Sequence, residues 1–249
     1  MMEDLAKLQF SPMRDNIYAP FFKEVKYNGK ILSDTERKNT IAIFDDIISK
    51  YSEGLPMMQK ILNNEMVLPP DFFEIYRTVV SVMQFTYITM IDSMIACKYF
   101  ILADKDYEKR FMRGKLMVIL NEGFKRLYGF DEKTYKKSEW DRLLSLMGHF
   151  SESINLKFQD LTFLLEKHSK SCPWWREERN LETHLETEKL YISRQEEIIE
   201  GQVMIDTMKL FSTMLAVNFY LNNLQSCLND YMKKHTKCVE TIDNLPQSL

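Results

Sequence analysis

The stretch "WDRLLSLMGHFSESINLKFQDLTFLLEKH", Trp140 to His168, decides the fold class. Trp140, Leu143, Met147, Phe150, Ile154, Phe158, Leu161 and Leu165 recur in steps of three and four. That is the spacing of one helix face, and a β-strand would alternate instead. Read on its own, the run is a single long seam packed nearly parallel or antiparallel to a neighbouring helix. A partner seam lies near the C-terminus. Leu210, Met214, Val217, Leu221, Leu224, Leu228 and Tyr231 repeat the spacing, and Phe211, Leu215 and Phe219 widen the stripe. Two long helices in one bundle are the expectation.

Working outward, the same pattern continues, with only 7 Gly and 7 Pro in 249 residues to interrupt it. Ser33 and Glu36 have the spacing of a capping box, and Ile41, Phe44, Ile48 and Tyr51 mark the face of the helix it opens. Gly54 and Pro56 should end that helix, with a short one following from Met57 to Met66. Asp71 as N-cap and Glu74 three residues on predict a long, largely buried central helix reaching about Ala103. A further helix from Tyr107 to Tyr128 should stop at Gly129. Ser171 and Pro173 can open a short helix to about Thr187, and the tail after Lys237 lacks periodicity. The expected fold is therefore all-α, a multi-helix bundle over residues 71–237. Residues 1–70 form an N-terminal helical extension, and 238–249 a loose tail.

Composition narrows the class. A hydrophobic content of 45% with 28% charged residues is ordinary for a folded globular chain, and a net charge of −3 provides no global pull toward nucleic acid or anionic lipid. The opening "MMEDLAKLQFSP" carries acids where a signal peptide needs a basic segment, and Asp92 and Lys98 interrupt the most apolar stretch. A cytoplasmic protein without a membrane partner is the expectation. Cys97, Cys172, Cys227 and Cys238 lie far apart without a C-x-x-C pair, so they read as reduced structural thiols. The residues three before His149, His168, His184 and His235 are Leu146, Leu165, Leu181 and Met232, which excludes the Glu-x-x-His pairs of a carboxylate-bridged di-iron bundle. No phosphate-binding glycine loop, nucleophile elbow or H-E-x-x-H occurs either.

One short segment has a face suited to chemistry. On a helix, at about 100° per residue, Arg176, Asn180 and His184 lie along one ridge, with Arg179 and Thr183 beside it. Guanidiniums bind phosphate oxygens through charge-assisted hydrogen bonds, and an imidazole can exchange a proton near neutrality. In RNA the adjacent 2'-hydroxyl can act as nucleophile, so proton transfer and charge stabilisation suffice without a metal or cofactor.

The string Arg179-Asn180-x-x-x-His184, on a helix inside an all-helical bundle, resembles the signature of HEPN (higher eukaryote and prokaryote nucleotide-binding) domains. The family pattern is an Arg, a polar residue and then a His separated from the Arg by four to six residues. The resemblance implies a HEPN-like core and metal-independent ribonuclease activity of the toxin-antitoxin or abortive-infection type. It also implies a homodimer across which two motifs meet, and in many members an antitoxin partner. Arg179 would bind the scissile phosphate, His184 would act as general acid and base, and Asn180 would support it. The sequence departs from the pattern in two ways. Thr183 stands where many members have a small apolar residue, and glutamates crowd the stretch from Glu177 to Glu200.

A basic stretch lies elsewhere. Lys109, Arg110, Arg113 and Lys115, followed by Lys125, Arg126, Lys133, Lys136 and Lys137, outnumber the local acids and could track RNA together with Arg176. Tyr107, Phe111, Phe124, Tyr128 and Tyr135 interleave with them at the spacing of core contacts. The competing reading is a non-catalytic helical interaction or dimerisation module whose motif is vestigial, with Arg179 paired to Glu182 or Glu186.

Overall fold

The computed structural model describes residues 32–63, 70–172 and 197–235. Among them are seven helices and no strand: α1 (Asp34–Leu62), α2 (Pro70–Leu102), α3 (Asp106–Leu127), α4 (Glu132–Tyr135), α5 (Glu139–Met147), α6 (Glu152–Ser171) and α7 (Glu197–His235). The expected all-α bundle is the fold. The segments 1–31, 64–69, 173–196 and 236–249 lie outside the described residues.

Helix α1 starts as anticipated. Glu36 N–H donates to the Ser33 side chain, and the Glu36 carboxylate accepts from Ser33 N–H at 2.9 Å, closing the capping box. It does not end at Gly54 and Pro56, which both lie inside a continuous helix of 29 residues. Pro56 leaves one carbonyl in the preceding turn without its amide, but packing outweighs that loss. A Cβ on Gly54 would sit 3.2 Å from the Tyr87 ring, so the glycine marks close contact between helices and not a helix end. Tyr51 and Tyr87 meet edge to face at 4.8 Å, and Gln84 donates to Gln59 at 2.9 Å. These contacts and the ion pair Arg37–Asp104 run α1 antiparallel to α2.

The central helix begins at Pro70, one residue before the expected cap, because proline suits a first helical position that needs no amide partner. By length and composition Phe72–Leu102 could cross a membrane, yet 61% of its most apolar window is buried inside the bundle. Gly123 of α3 sits against Thr89, and Arg126 lies over the Phe85 ring, so α3 is antiparallel to α2. Tyr76 donates to Asn229 at 3.0 Å, and Asn218 of α7 meets both Thr86 and Met90. α7 is thus also antiparallel to α2, and parallel to α3.

The opening seam is real as a buried surface, but two helices share it. Trp140, Leu143, Met147, Phe150, Ile154, Phe158, Leu161 and Leu165 are all at most 4% exposed. Gly148 caps α5, Ser151 precedes α6, and the amides of His149 and Phe150 bond back to Leu146 and Met147 in a tight turn. The chain therefore turns back on itself. Trp140 stacks on Phe158 at 4.5 Å and donates to Thr162 at 2.9 Å, and Tyr220 of α7 reaches both Met147 and Ile154. The C-terminal seam holds as one helix, with Leu210 to Tyr231 buried at its predicted positions, while Phe219 is 37% exposed. The two seams pack together as expected, since His168 meets Thr213 and Phe158 meets Tyr220, an antiparallel pairing of α6 with α7.

Gly129 ends the α3 region at φ +88°, and a Cβ there would lie 2.5 Å from the Tyr135 backbone nitrogen. Gly148 is right-handed (φ −58°) with nothing near its missing Cβ. Urea unfolding should therefore separate the two. Gly129→Ala is expected to lose at least about 1–2 kcal/mol from left-handed strain alone, while Gly148→Ala should be neutral or slightly stabilising.

Candidate functional site at the end of the bundle

The stretch carrying Arg176, Arg179, Asn180 and His184 lies outside the described residues. Its attachments are defined, because the chain leaves α6 at Cys172 and enters α7 at Glu197. Gly123 of α3 faces Leu210 and Met214 of α7. The two parallel helices therefore begin at the same level, Asp106 being 17 residues before Gly123 and Glu197 being 13 to 17 before its partners. α6 stops well short of that level, since its last turn places His168 beside Phe124 and Thr213. The first turns of α3 and α7 thus continue past the end of α6, on the side of the bundle where 173–196 is tethered.

The four α3 cations do not share one face. Lys109 and Arg113 continue the stripe of Leu116, Leu120 and Phe124, the side turned toward α6 and α7, and both are half-buried. Arg110 is half-buried one step around the helix, while Lys115 is exposed on the far side with its ammonium 5.2 Å from the Phe111 ring centre. Past the end of α6 the α3 stripe changes from apolar to basic. The remaining cations of the basic stretch are divided. Arg126 and Arg142 hold the nearly buried Glu139 carboxylate at 3.3 and 2.6 Å, and Lys125 and Lys136 pair with Glu122 and Glu132. The exposed pairs, Lys125–Glu122 and Lys136–Glu132, contribute little to stability. The interleaved aromatics separate likewise. Phe124 is fully buried and Tyr128 packs on Tyr135 at 5.2 Å, but Tyr107 and Phe111 are 69% and 61% exposed, against the expectation that all five would be core contacts.

On the α7 side the polar residues were not anticipated. Asp206 is fully buried and accepts from Gln202 at 3.1 Å and from Lys209 at 3.2 Å. Thr213 bonds the Lys209 carbonyl and lies 3.3 Å from His168 Nδ1. The signal was present as an Asp and a Lys three residues apart inside an apolar stripe. Such spacing also describes ordinary surface pairs, and only packing shows that this carboxylate is inside. His168, expected to be a packing residue, is buried against Phe124 at 5.1 Å between ring centres. Burial, reinforced by the Lys209 charge, lowers its pKa from 6.5 to about 4. It is neutral at physiological pH and unsuited to protonate a leaving group. His149, the other described histidine side chain, is half-buried in the α5–α6 turn.

Among the described residues no cluster of three or more His, Cys, Asp or Glu is arranged to hold a metal. Cys97 and Cys172 are buried free thiols and Cys227 is half-buried, with burial pushing Cys97 up to about 12. The described part of this end thus carries Lys109, Arg110 and Arg113 on α3 after an acidic first turn of Asp106 and Glu108, and a neutral imidazole with the Asp206–Lys209 pair on α6 and α7.

A histidine whose pKa is lowered on folding favours the folded state most above its unfolded value. That contribution is complete above pH 6.5 and is lost as pH falls toward about 4. The difference in unfolding free energy between wild type and His168→Gln should therefore change across this window by about 3 kcal/mol, read from urea curves at stepped pH.

Compared with protein-family models, curated proteins and solved structures, the chain matches none.

Proposed function

We propose that this chain is a metal-independent RNA endonuclease of HEPN type. The observation that carries the reading is the Arg179-Asn180-x-x-x-His184 string, tethered between the last two long helices of an all-helical bundle. In this reading Arg179 holds the scissile phosphate and stabilises its developing charge, His184 takes the 2'-hydroxyl proton and returns one to the leaving oxygen, and Asn180 orients the imidazole. Lys109, Arg110 and Arg113 support it from α3, at the bundle end where the motif-bearing segment joins α7, and Arg176 and Lys115 add charge. The reading includes a homodimer in which two motifs meet, and a role in toxin-antitoxin or phage-defence systems with a protein antitoxin.

A second reading, a non-catalytic interaction module, is favoured by a different observation. The outer face of α2 leaves Ile88, Ile95, Tyr99 and Leu102 between 37% and 54% exposed.

Cleavage of a labelled mixed-sequence RNA in EDTA tests the first reading. Wild type should cut, and His184→Ala should be slower by about 100-fold or more, the usual share of general acid–base catalysis. Arg179→Ala should fall comparably, with the far-ultraviolet spectrum unchanged. Equal cleavage by wild type and His184→Ala, or none by either, overturns the assignment.

A further inference from the structure

Among the described residues, helix α2 packs on three sides and is open on the fourth. Thr86 and Met90 face α7, Tyr87 and Lys98 face α1, and Phe85 and Thr89 face α3. Opposite the α7 side run Ile88, Asp92, Ile95, Tyr99 and Leu102, spaced four, three, four and three residues apart. Their apolar members are 44%, 37%, 54% and 42% exposed in chain order. The pairing of Thr89 with Gly123 and Phe85 with Arg126 sets the level of α3 along this stripe. It brings the 61% exposed Phe111 to the level of Tyr99 to Leu102, and Lys115 to the level of Cys97. A contiguous apolar strip of this length on a folded surface marks an interaction face. Asp92 stands within it with no hydrogen-bond or ion-pair partner among the described residues, and desolvation by its surroundings raises its carboxyl above the ordinary carboxylate range.

We propose that this face pairs with the same face of a second copy of the chain, α2 antiparallel to α2, about a two-fold axis at Ile95. The inference builds on the interaction-module reading and names its partner. Two features of the stripe select this occupant. Ile88 and Leu102 each lie seven residues from Ile95, so reversal places Ile88 against Leu102 of the second copy, Leu102 against Ile88, and Ile95 against itself, as an isologous interface requires, while Asp92 and Tyr99 meet offset by one residue. Its charge is complementary only in that sense of pairing. A parallel arrangement sets Asp92 against Asp92, whereas the antiparallel one sets it at the level of the Tyr99 hydroxyl and the Lys115 ammonium of the second copy. Asp92 and Tyr99 both lie on the α3 side of the stripe, and an axis in the interface plane keeps the two α3 helices on the same side. Large side chains offer about 150–250 Å² each when aromatic. Tyr99, Phe111 and three aliphatic neighbours keep 37–61% of such areas exposed, which supplies about half of the ~800 Å² per partner that a stable interface buries, and the flanking α1 and α3 surfaces complete it.

This face is on the side of α2 opposite α7, away from the attachments of segment 173–196. Loss of the dimer described here and loss of RNA cleavage are therefore separately measurable.

Cysteine cross-linking in a background with Cys172, Cys227 and Cys238 changed to serine, and with Cys97 buried, tests both pairing and register. Ile95→Cys, oxidised in air, is expected to give a covalent dimer whose linked peptide pair, read by mass spectrometry, joins residue 95 to residue 95. Ile88→Cys and Leu102→Cys should link poorly alone and give an 88-to-102 bond when mixed. Sedimentation at tens of micromolar should show wild type self-associating, and the 95-to-95 link assigns that association to the α2 face and not to a motif-to-motif contact. Ile95→Glu should raise the dissociation constant at least about tenfold with the far-ultraviolet spectrum unchanged. A monomeric wild type together with an unlinked Ile95→Cys overturns the proposal. So does a dimer that links 95 to any other position, or flotation of a monomeric wild type with phosphatidylcholine–phosphatidylglycerol vesicles, which would assign the face to lipid.

Discussion

The desolvation of α2 is the constraint on which the rest of the bundle depends. From Phe72 to Leu102 the helix carries too much apolar surface to stand in water, and α1, α3 and α7 each take one of its sides. Burying a large aliphatic or aromatic side chain is worth about 1.5–3 kcal/mol, and Phe72, Tyr76, Met83, Tyr87, Met90 and Met94 are all at most 2% exposed. The few polar groups inside then carry specificity. Thr86 with Asn218, Asn218 with Met90, and Tyr76 with Gln225 and Asn229 tie α2 to α7 at defined heights, because a slip of either helix would strand a buried polar group.

The same logic explains the two places where local sequence rules lost to packing. Gly54 and Pro56 together read as a helix break in the sequence, yet α1 runs through both, because the glycine is where the backbone must approach Tyr87. The seam from Trp140 to Leu165 has unbroken helical spacing, yet the chain turns at Gly148 to Phe150. Both halves still bury the same residues, since Trp140 folds back onto Phe158 and Tyr220 fills the corner. A break inside a regular pattern leaves the period intact and so gives no periodic signal.

The basic residues of α3 and α7 show how differently charged residues of similar appearance can be used. Arg126 serves a buried glutamate, Lys209 a buried aspartate, and Lys115 an aromatic ring. Past the end of α6, Lys109 and Arg113 extend a core stripe as cations. Four basic residues in seven positions read as one patch in a string of letters, but a helix distributes them around its circumference.

The chain by itself determined the all-α class, the capped start at Ser33, the stop at Gly129 and nearly every buried position of the two C-terminal seams. Each of these rests on local periodicity or on a single residue's backbone preference. The motif from Arg179 to His184 is equally a property of the sequence, and so is the chemistry proposed for it. Only the tertiary structure decided that α1 continues past Pro56, that one seam is two helices, that Asp206 is inside and Phe111 outside, and that α2 keeps one apolar face open among the described residues. Those outcomes depend on which neighbour covers which side of a helix, and contacts between residues far apart in the chain set that coverage.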